Sequence, residues 1–469
     1  MSNKELLFKS AHELADMLKN QEITSVELTQ TFLDRIHAVE DDVKAFITVT
    51  DDLALDQAKQ ADQEIQAGNY KGPMHGMPIA IKDTYKTAGV LSTSGSGMLR
   101  DYVPEETSTP VQNILDAGGV ILGKLNMHSL GPGSAGFNPW FGHTRNPFNL
   151  DHIVGGSSGG SGAALAAGMA PIVTGTDMWG SLRVPASING VYGFKPTYGL
   201  LSSANNIPTS ETHDSTGPMA RQVDDLAMLT SVMSSYDPKD HNSLKDVERP
   251  DYTRNLDKGI KGLKFGVPSY YRQGLDAEVE RLFNESIEKL EELGAEVVDI
   301  EIPELEMTQY AGQVTPVAEA GANYFEELKN QPENIAKDVR AFLMAGSVVT
   351  GQQYVRAQKV RRKMALAFNE VFQEVDAILG PTIPVQVPAF KEESEMPEQA
   401  IDVVQSVLPF TVPANMTGVP ALSVPMGLDK DGLPTGMQFF GRPLSEEKLL
   451  QIAKAWESTH PISYEDIVV

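Results

Sequence analysis

The 469-residue chain contains no cysteine. That excludes a disulfide framework, a thiolate nucleophile and any Cys-ligated zinc or iron–sulfur centre. Histidine is scarce at nine residues, with no His-x-His or His-Glu-x-x-His pairing, so no His-based metal site is expected. Positive charge is also short. Lys and Arg total 38 against 63 Asp and Glu, a formal net charge of −25. Such a field repels phosphate backbones, so a nucleic-acid partner is not expected. No apolar run reaches the 18 or so residues that span a bilayer, and no membrane partner is expected. The N-terminal segment MSNKELLFKSAHELADMLKN is amphipathic and lacks the apolar core of a signal peptide, so a cytoplasmic protein is expected.

What is present is enough for a folded chain. Hydrophobic residues make up 41%, which supplies a large core. Thr24-Ser-Val-Glu27 reads as a capping box opening a helix, with Leu28, Phe32 and Ile36 as its buried stripe. Ala45 to Val49 reads as a strand. Met77-Pro-Ile-Ala-Ile-Lys-Asp83 reads as a buried strand that delivers Lys82 at its C-terminal end. Leu263 to Val267, Glu278 to Leu293 and Val297 to Ile300 form a β–α–β unit, and Gln309 to Phe372 is mostly helical. Strands and helices alternate throughout. The expectation is α/β: a single large α/β/α sandwich with a mixed, mostly parallel central β-sheet flanked by helices, occupying residues 1–469 as one domain.

The stretch richest in chemical meaning is Gly155-Gly-Ser-Ser-Gly-Gly-Ser-Gly162, followed by an Ala-rich helix. A Gly/Ser loop at a helix N-terminus exposes backbone N–H groups to an anion or oxyanion. It does not fit the phosphate-loop pattern, which needs a Gly-Lys-Ser/Thr ending. A literal Gly-x-Gly-x-x-Gly at Gly131, Gly133 and Gly136 runs into Phe-Asn-Pro-Trp, not a helix, and reads as a glycine-bearing loop. Gly156-Ser-Ser158-Gly-Gly160 fits the nucleophile elbow of α/β-hydrolases, with His213, His241 or His460 as base. No firm strand precedes it.

The span GGSSGGSGAALAAGMAPIVTGTDMWGSLRVPASINGVYGFKPTYGLLS, residues 155–201, closely resembles the amidase signature. Gly76-Met-Pro-Ile-Ala-Ile-Lys-Asp83, Thr144-Arg-Asn-Pro147, Asn415-Met-Thr-Gly-Val-Pro-Ala-Leu-Ser423 and Gly432-Leu-Pro-Thr-Gly-Met-Gln438 extend the resemblance over most of residues 10–455. The signature core covers about residues 70–205, and a variable helical substrate region about 305–370. The resemblance implies Ser181 as nucleophile, Ser157 on a cis peptide as proton relay, and Lys82 as base. It implies an oxyanion hole from the backbone of Met178, Trp179, Gly180 and Ser181. Asp177 and Arg183, with Ser158, are expected to hold this loop by hydrogen bonds.

The chemistry is coherent in its own terms. A serine hydroxyl needs a nearby base, and a lysine serves only if burial lowers its pKa toward neutrality. The expected function is hydrolysis of a small-molecule carboxylic amide through a Ser181 acyl-enzyme, with no cofactor and no metal. An ester or carbamate would follow the same path, and a homodimer stays open as the assembly.

Two departures from the family pattern bear on function. Trp179 replaces one of the two glycines that usually precede the nucleophile. It predicts a reshaped pocket, a strained and slow enzyme, or a binding protein without turnover. Leu408 falls where the related A subunits of amidotransferases carry an acidic residue that recognises glutamine. An apolar residue there favours a free-standing hydrolase over a component of such an assembly. Tyr324 and Phe137 lie in the segments expected to meet substrate, although core packing is the ordinary role for both.

Overall fold

The computed structural model describes residues 3–459, 462–464 and 467. The chain order of strands is β1 Phe46–Val49, β2 Pro78–Lys82, β3 Val120–Leu125, β4 Arg145–Asn146, β5 Asn149–Ile153, β6 Ile172–Asp177, β7 Tyr192–Lys195, β8 Ser215–Ala220, β9 Lys264–Pro268, β10 Glu296–Ile300, β11 Ala377–Pro381, β12 Ala421–Leu428 and β13 Pro434–Phe440. Eleven of them form one sheet in the order β1-β3-β2-β6-β8-β7-β12-β13-β11-β9-β10, and β4 with β5 makes a separate hairpin.

The expected mixed sheet flanked by helices is present. Its parallel pairs occupy the two flanks, β3-β2-β6 and β11-β9-β10, where helices connect the strands. The middle, from β6 through β8, β7, β12 and β13 to β11, is antiparallel. Side chains alternate between the two helical layers. On β7, a Cβ at Gly193 would press on Ala186 of one layer, while Tyr192 lies near Glu457 in the other.

Local signals explain the elements that frame the site. Thr24 and Glu27 close their capping box, and Leu28, Phe32 and Ile36 are fully buried beneath it. Every residue of β2 is buried because β3 and β6 pair with it and helices cover both faces. Its C-terminal residue, Lys82, therefore enters the interior at the same sheet edge where β6 ends in Asp177. The antiparallel β8 begins at that edge, with Ser215 opposite Asp177.

A helical cover lies beyond that edge. Helices Thr308–Asn323, Phe325–Asn330, Lys337–Gly346 and Gly351–Val371 match the expected helical region. Helix Met396–Thr417 packs with them despite Pro409 and Pro413 in its interior. A second apolar core, containing Trp179, Phe368, Leu408 and Phe410, fills the space between cover and sheet.

Candidate active site

Lys82 is wholly buried. Its Nζ donates to Ser157 Oγ at 2.8 Å, Ser158 Oγ at 2.9 Å and Thr176 Oγ1 at 2.7 Å. All three partners are neutral hydroxyls. Burial lowers the Lys82 pKa from 10.5 to about 7, against the opposing pull of Asp214 and Asp177. The ammonium and the amine are thus close in free energy near neutral pH. The Gly156–Ser157 peptide is cis, and Ser158 stands at the N-cap position of helix Gly159–Ala166 without a side-chain capping bond.

The next element is an anchored loop. Asp177 and Arg183, both fully buried, form the expected bidentate pair, Nε to Oδ2 at 3.0 Å and Nη2 to Oδ1 at 3.1 Å. Burial alone would raise the Asp177 pKa, but Arg183 and hydrogen bonds bring it down to about 2. Its carboxylate accepts from the Gly180 N–H at 2.8 Å and the Leu182 N–H at 3.2 Å. Ser181 lies between those two residues, so the loop carrying it folds back onto the end of β6, beside Thr176 and Lys82. Ser181 is 4% exposed, and among the described residues its hydroxyl forms no hydrogen bond.

This arrangement corrects one expected role. The Gly180 N–H is committed to Asp177 and is not free for an oxyanion. The N–H groups of Met178, Trp179 and Ser181 carry no bond to another described residue. Gly180 serves the loop differently. Its φ of 105° suits glycine, and a Cβ there would lie 2.5 Å from Thr411 Cβ.

The strain considered for Trp179 is absent, since φ at Trp179 stays outside the positive region. The indole turns into the cover. Its Nε1 donates to Gly312 O at 2.7 Å, and its ring meets Phe342 edge-on at 5.2 Å. Thr411 Oγ1 donates to the Trp179 carbonyl at 2.5 Å.

The elbow reading of Ser158 does not fit. Ser158 is bound by Lys82 and Thr176, and the strand before it, β5, belongs to the side hairpin. His213 is buried with its Nδ1 against Thr212 Oγ1, His241 lines a cavity rim, and His460 lies outside the described residues. The loop of Gly131, Gly133 and Gly136 is followed by no helix. Its Gly133 packs on the His128 ring, and a Cβ at Gly156 would strike the Gly133 carbonyl. Tyr324 donates to Pro208 O at 2.5 Å, and Phe137 stacks on Phe390 at 5.8 Å; both are packing residues.

Several contributors went unnoticed in the sequence. Thr176 binds the lysine. Asn415 donates to the Asp177 carbonyl and carboxylate, and Gln438 accepts from Arg183 at 2.8 Å. Asn415 and Gln438 stand inside the quoted motifs, so the signal was there without the role. Asp214, next to the start of β8, had no signal at all. Among the described residues no cluster of three or more His, Asp or Glu is placed to hold a metal ion.

Two cavities border the loop. One of about 300 Å³ is lined by Ser157, Thr176, Met178, Asp214 and residues of the 198–216 and 239–242 segments. The other, about 230 Å³, is lined by Trp179, Pro132, Gly133, Phe342 and Val404, among others.

A buried lysine on a serine pair, beside a pinned Gly-Ser loop at the carboxyl ends of parallel strands, defines the class. The chain belongs to the amidase signature family, matching the Amidase family over residues 27–450. It is 39% identical over 480 residues to the A subunit of glutamyl-tRNA(Gln) amidotransferase from Trichlorobacter lovleyi, covering 97% of each chain. Among solved structures, a bacterial aryl acylamidase superposes with a TM-score of 0.89 at 27% identity, covering 98% of both chains. The peptide amidase of Stenotrophomonas maltophilia superposes with a TM-score of 0.84 at 29% identity, covering 96% of both.

Proposed function

We propose that the chain hydrolyses a carboxylic amide through an acyl-enzyme on Ser181. The observation that carries this reading is the 2.8 Å contact between Lys82 Nζ and Ser157 Oγ, made by a lysine whose burial brings its pKa to about 7. In the neutral form Lys82 accepts the Ser157 proton across that contact, while Ser157 accepts the proton of Ser181. Ser181 Oγ bonds to the amide carbon. The carbonyl oxygen, now an oxyanion, is stabilised by the N–H groups of Met178, Trp179 and Ser181. The proton returns through Ser157 to the leaving nitrogen, the amine departs, and water repeats the sequence to release the acid. The pinned loop keeps Ser181 and the oxyanion donors in one geometry, which favours a catalyst over a binding protein. No cofactor or metal takes part in this scheme. The small-molecule amide partner, the cytoplasmic setting and the homodimer belong to the proposal.

A second reading, the glutamine-hydrolysing A subunit of an amidotransferase, is supported by the 39% identity to proteins of that name. Against it stands Leu408, wholly buried at the position expected to recognise glutamine, with no charge to offer an α-ammonium. Ammonia release from glutamine, together with copurifying partner chains, would establish the second reading over the first.

The first experiment is intact mass after fluorophosphonate treatment, comparing the native chain with Ser181→Ala. One adduct, lost in the variant, is the expected result, and amide, ester and carbamate panels then rank the substrates. No adduct on the native chain would overturn the hydrolase reading.

A further inference from the structure

The two cavities differ in chemistry. The one that holds Ser157 and Met178 carries three carboxylates, Glu211, Asp214 and Asp240, against Lys239 and His241. Asp240 is occupied by the N–H groups of Ser203 and Asn242. Asp214 uses only one oxygen in this way. Its Oδ2 accepts from the Thr209 and Ser210 N–H groups at 2.8 and 2.9 Å, and among the described residues Oδ1 has no partner. Burial raises the Asp214 pKa to about 7, and a cation beside it would restore the carboxylate. The Trp179 cavity is apolar by comparison. Phe342, Val317, Val404 and Ile401 line it with the indole, and its one charged side chain, Asp338, is bound to His128 at 2.8 Å. The two spaces share a wall. Gly131 lines the first, while Pro132 and Gly133 line the second.

Proton logic orients a substrate between them. The relay that deprotonates Ser181 must later protonate the leaving nitrogen, so the nitrogen lies on the Ser157 side. The acyl group then falls to the other side of the loop.

We propose that the enzyme prefers amides with an apolar acyl group seated beside Trp179 and Phe342 and an amine portion whose cationic group pairs with Asp214. This rests on the hydrolase reading above and names its substrate class. Asp214 acts here as a specificity residue and takes no part in bond breaking. A charge-assisted contact of this kind is worth roughly a tenfold to hundredfold preference.

The test uses 3-phenylpropanoyl amides of 1,2-diaminoethane (cationic) and of n-propylamine (neutral), with the matching acetyl amides. The native enzyme should favour the cationic phenylpropanoyl amide by roughly tenfold or more in kcat/KM, chiefly through KM. Asp214→Asn keeps an acceptor for the Thr209 and Ser210 N–H groups. It should lose that preference, read as the ratio of kcat/KM for the two amides within the variant, because removing the Asp214 charge also acts on Lys82 and shifts both rates together. Phe342→Ala should lose the advantage of phenylpropanoyl over acetyl and keep the charge preference. Equal rates for cationic and neutral amines in the native enzyme would overturn the assignment. So would a preference for cationic acyl groups that vanishes in Asp214→Asn. Should no amide be hydrolysed in a Ser181-dependent way, the hydrolase reading fails instead. The cavity assignment is then read from calorimetry of the cationic amide on Ser181→Ala, where the absence of Asp214-dependent binding overturns it too.

Discussion

Lys82 and Trp179 stand on two parts of the molecule that are built differently. Lys82 ends a strand buried on both faces, and its surroundings are strand ends and short loops locked by buried polar bonds, with Arg183 alone reaching Asp177, Asn415 and Gln438. Trp179 projects into a cover of helices that face solvent on their other side and expose Phe325, Met344, Val348 and Val355. The cover is fastened to the frame by a few side chains. Glu319 accepts from Ser210 Oγ, Thr212 Oγ1, the Thr212 N–H and Tyr354 OH, and Arg361 donates to the Thr212 carbonyl. The frame is suited to holding reacting groups in one geometry. The cover is suited to shaping what reaches them. Chemistry and selectivity should therefore respond to different mutations.

The sharpest test lies in the frame. In the proposed mechanism Lys82→Ala removes the base and leaves Ser157 without its proton acceptor, so acylation should fall by roughly a thousandfold or more. The native enzyme should also show the lysine in its pH profile. In that mechanism the active form is the neutral amine, and burial lowers its pKa to about 7. Acylation should rise about tenfold per pH unit below that value and level off above it. Rates that stay flat between pH 5 and 8, or an unchanged rate in Lys82→Ala, would remove Lys82 from the mechanism.

The next effect in size is structural. Arg183→Met leaves the Asp177 carboxylate buried without its cation, a change that costs about 3–5 kcal/mol in comparable pairs. Chemical denaturation should show that loss with the sheet and the nucleophile loop affected together. The pair also carries a pH signature. Asp177 ionises near 2 in the folded chain against 3.8 ordinarily. Its stabilisation is full above about 4 and is lost as pH falls toward 2. In Arg183→Met burial raises the Asp177 pKa, so the Asp177 share of that acid loss should shrink or reverse. A variant with native stability would show that the loop is held by the amide and Asn415 bonds alone.

The same division explains what could be read in the sequence. The frame was legible in part from the residues themselves, an apolar run ending in lysine and a Gly/Ser loop before a helix, while Asp177, Arg183 and Ser181 were found through the resemblance to the amidase signature. The β–α–β unit and the helical region were legible from periodicity. Helix Met396–Thr417 had no such signal, because it is buried on most sides and carries Pro409 and Pro413, which periodicity and propensity both count against. β7 and β8 were also missed, since Gly193, Gly217 and Pro218 dilute their strand character. Asp214 was invisible because only the antiparallel pairing of β8 with β6 brings it to the lysine. The fate of Trp179 needed the cover. Sequence shows that a glycine is missing, while the Gly312 carbonyl and the Phe342 ring decide where the indole goes.

The smallest predicted effect bears most directly on whether frame and cover are separable. Glu319→Gln keeps the side-chain length but replaces an acceptor of four hydrogen bonds with an amide that has one acceptor oxygen. Charged acceptors contribute more than neutral ones, so the local loss should be about 1–3 kcal/mol. Hydrogen exchange should quicken in residues 208–214, 308–323 and 351–371 and stay at the native rate in β2 and β6. KM should rise several-fold with kcat nearly unchanged, because the groups around Lys82 keep their partners while the wall beside Asp214 loosens. Faster exchange in β2 as well would mean that cover and frame open as one unit. Selectivity and chemistry could then not be altered separately, and variants in the cover would lower kcat along with affinity.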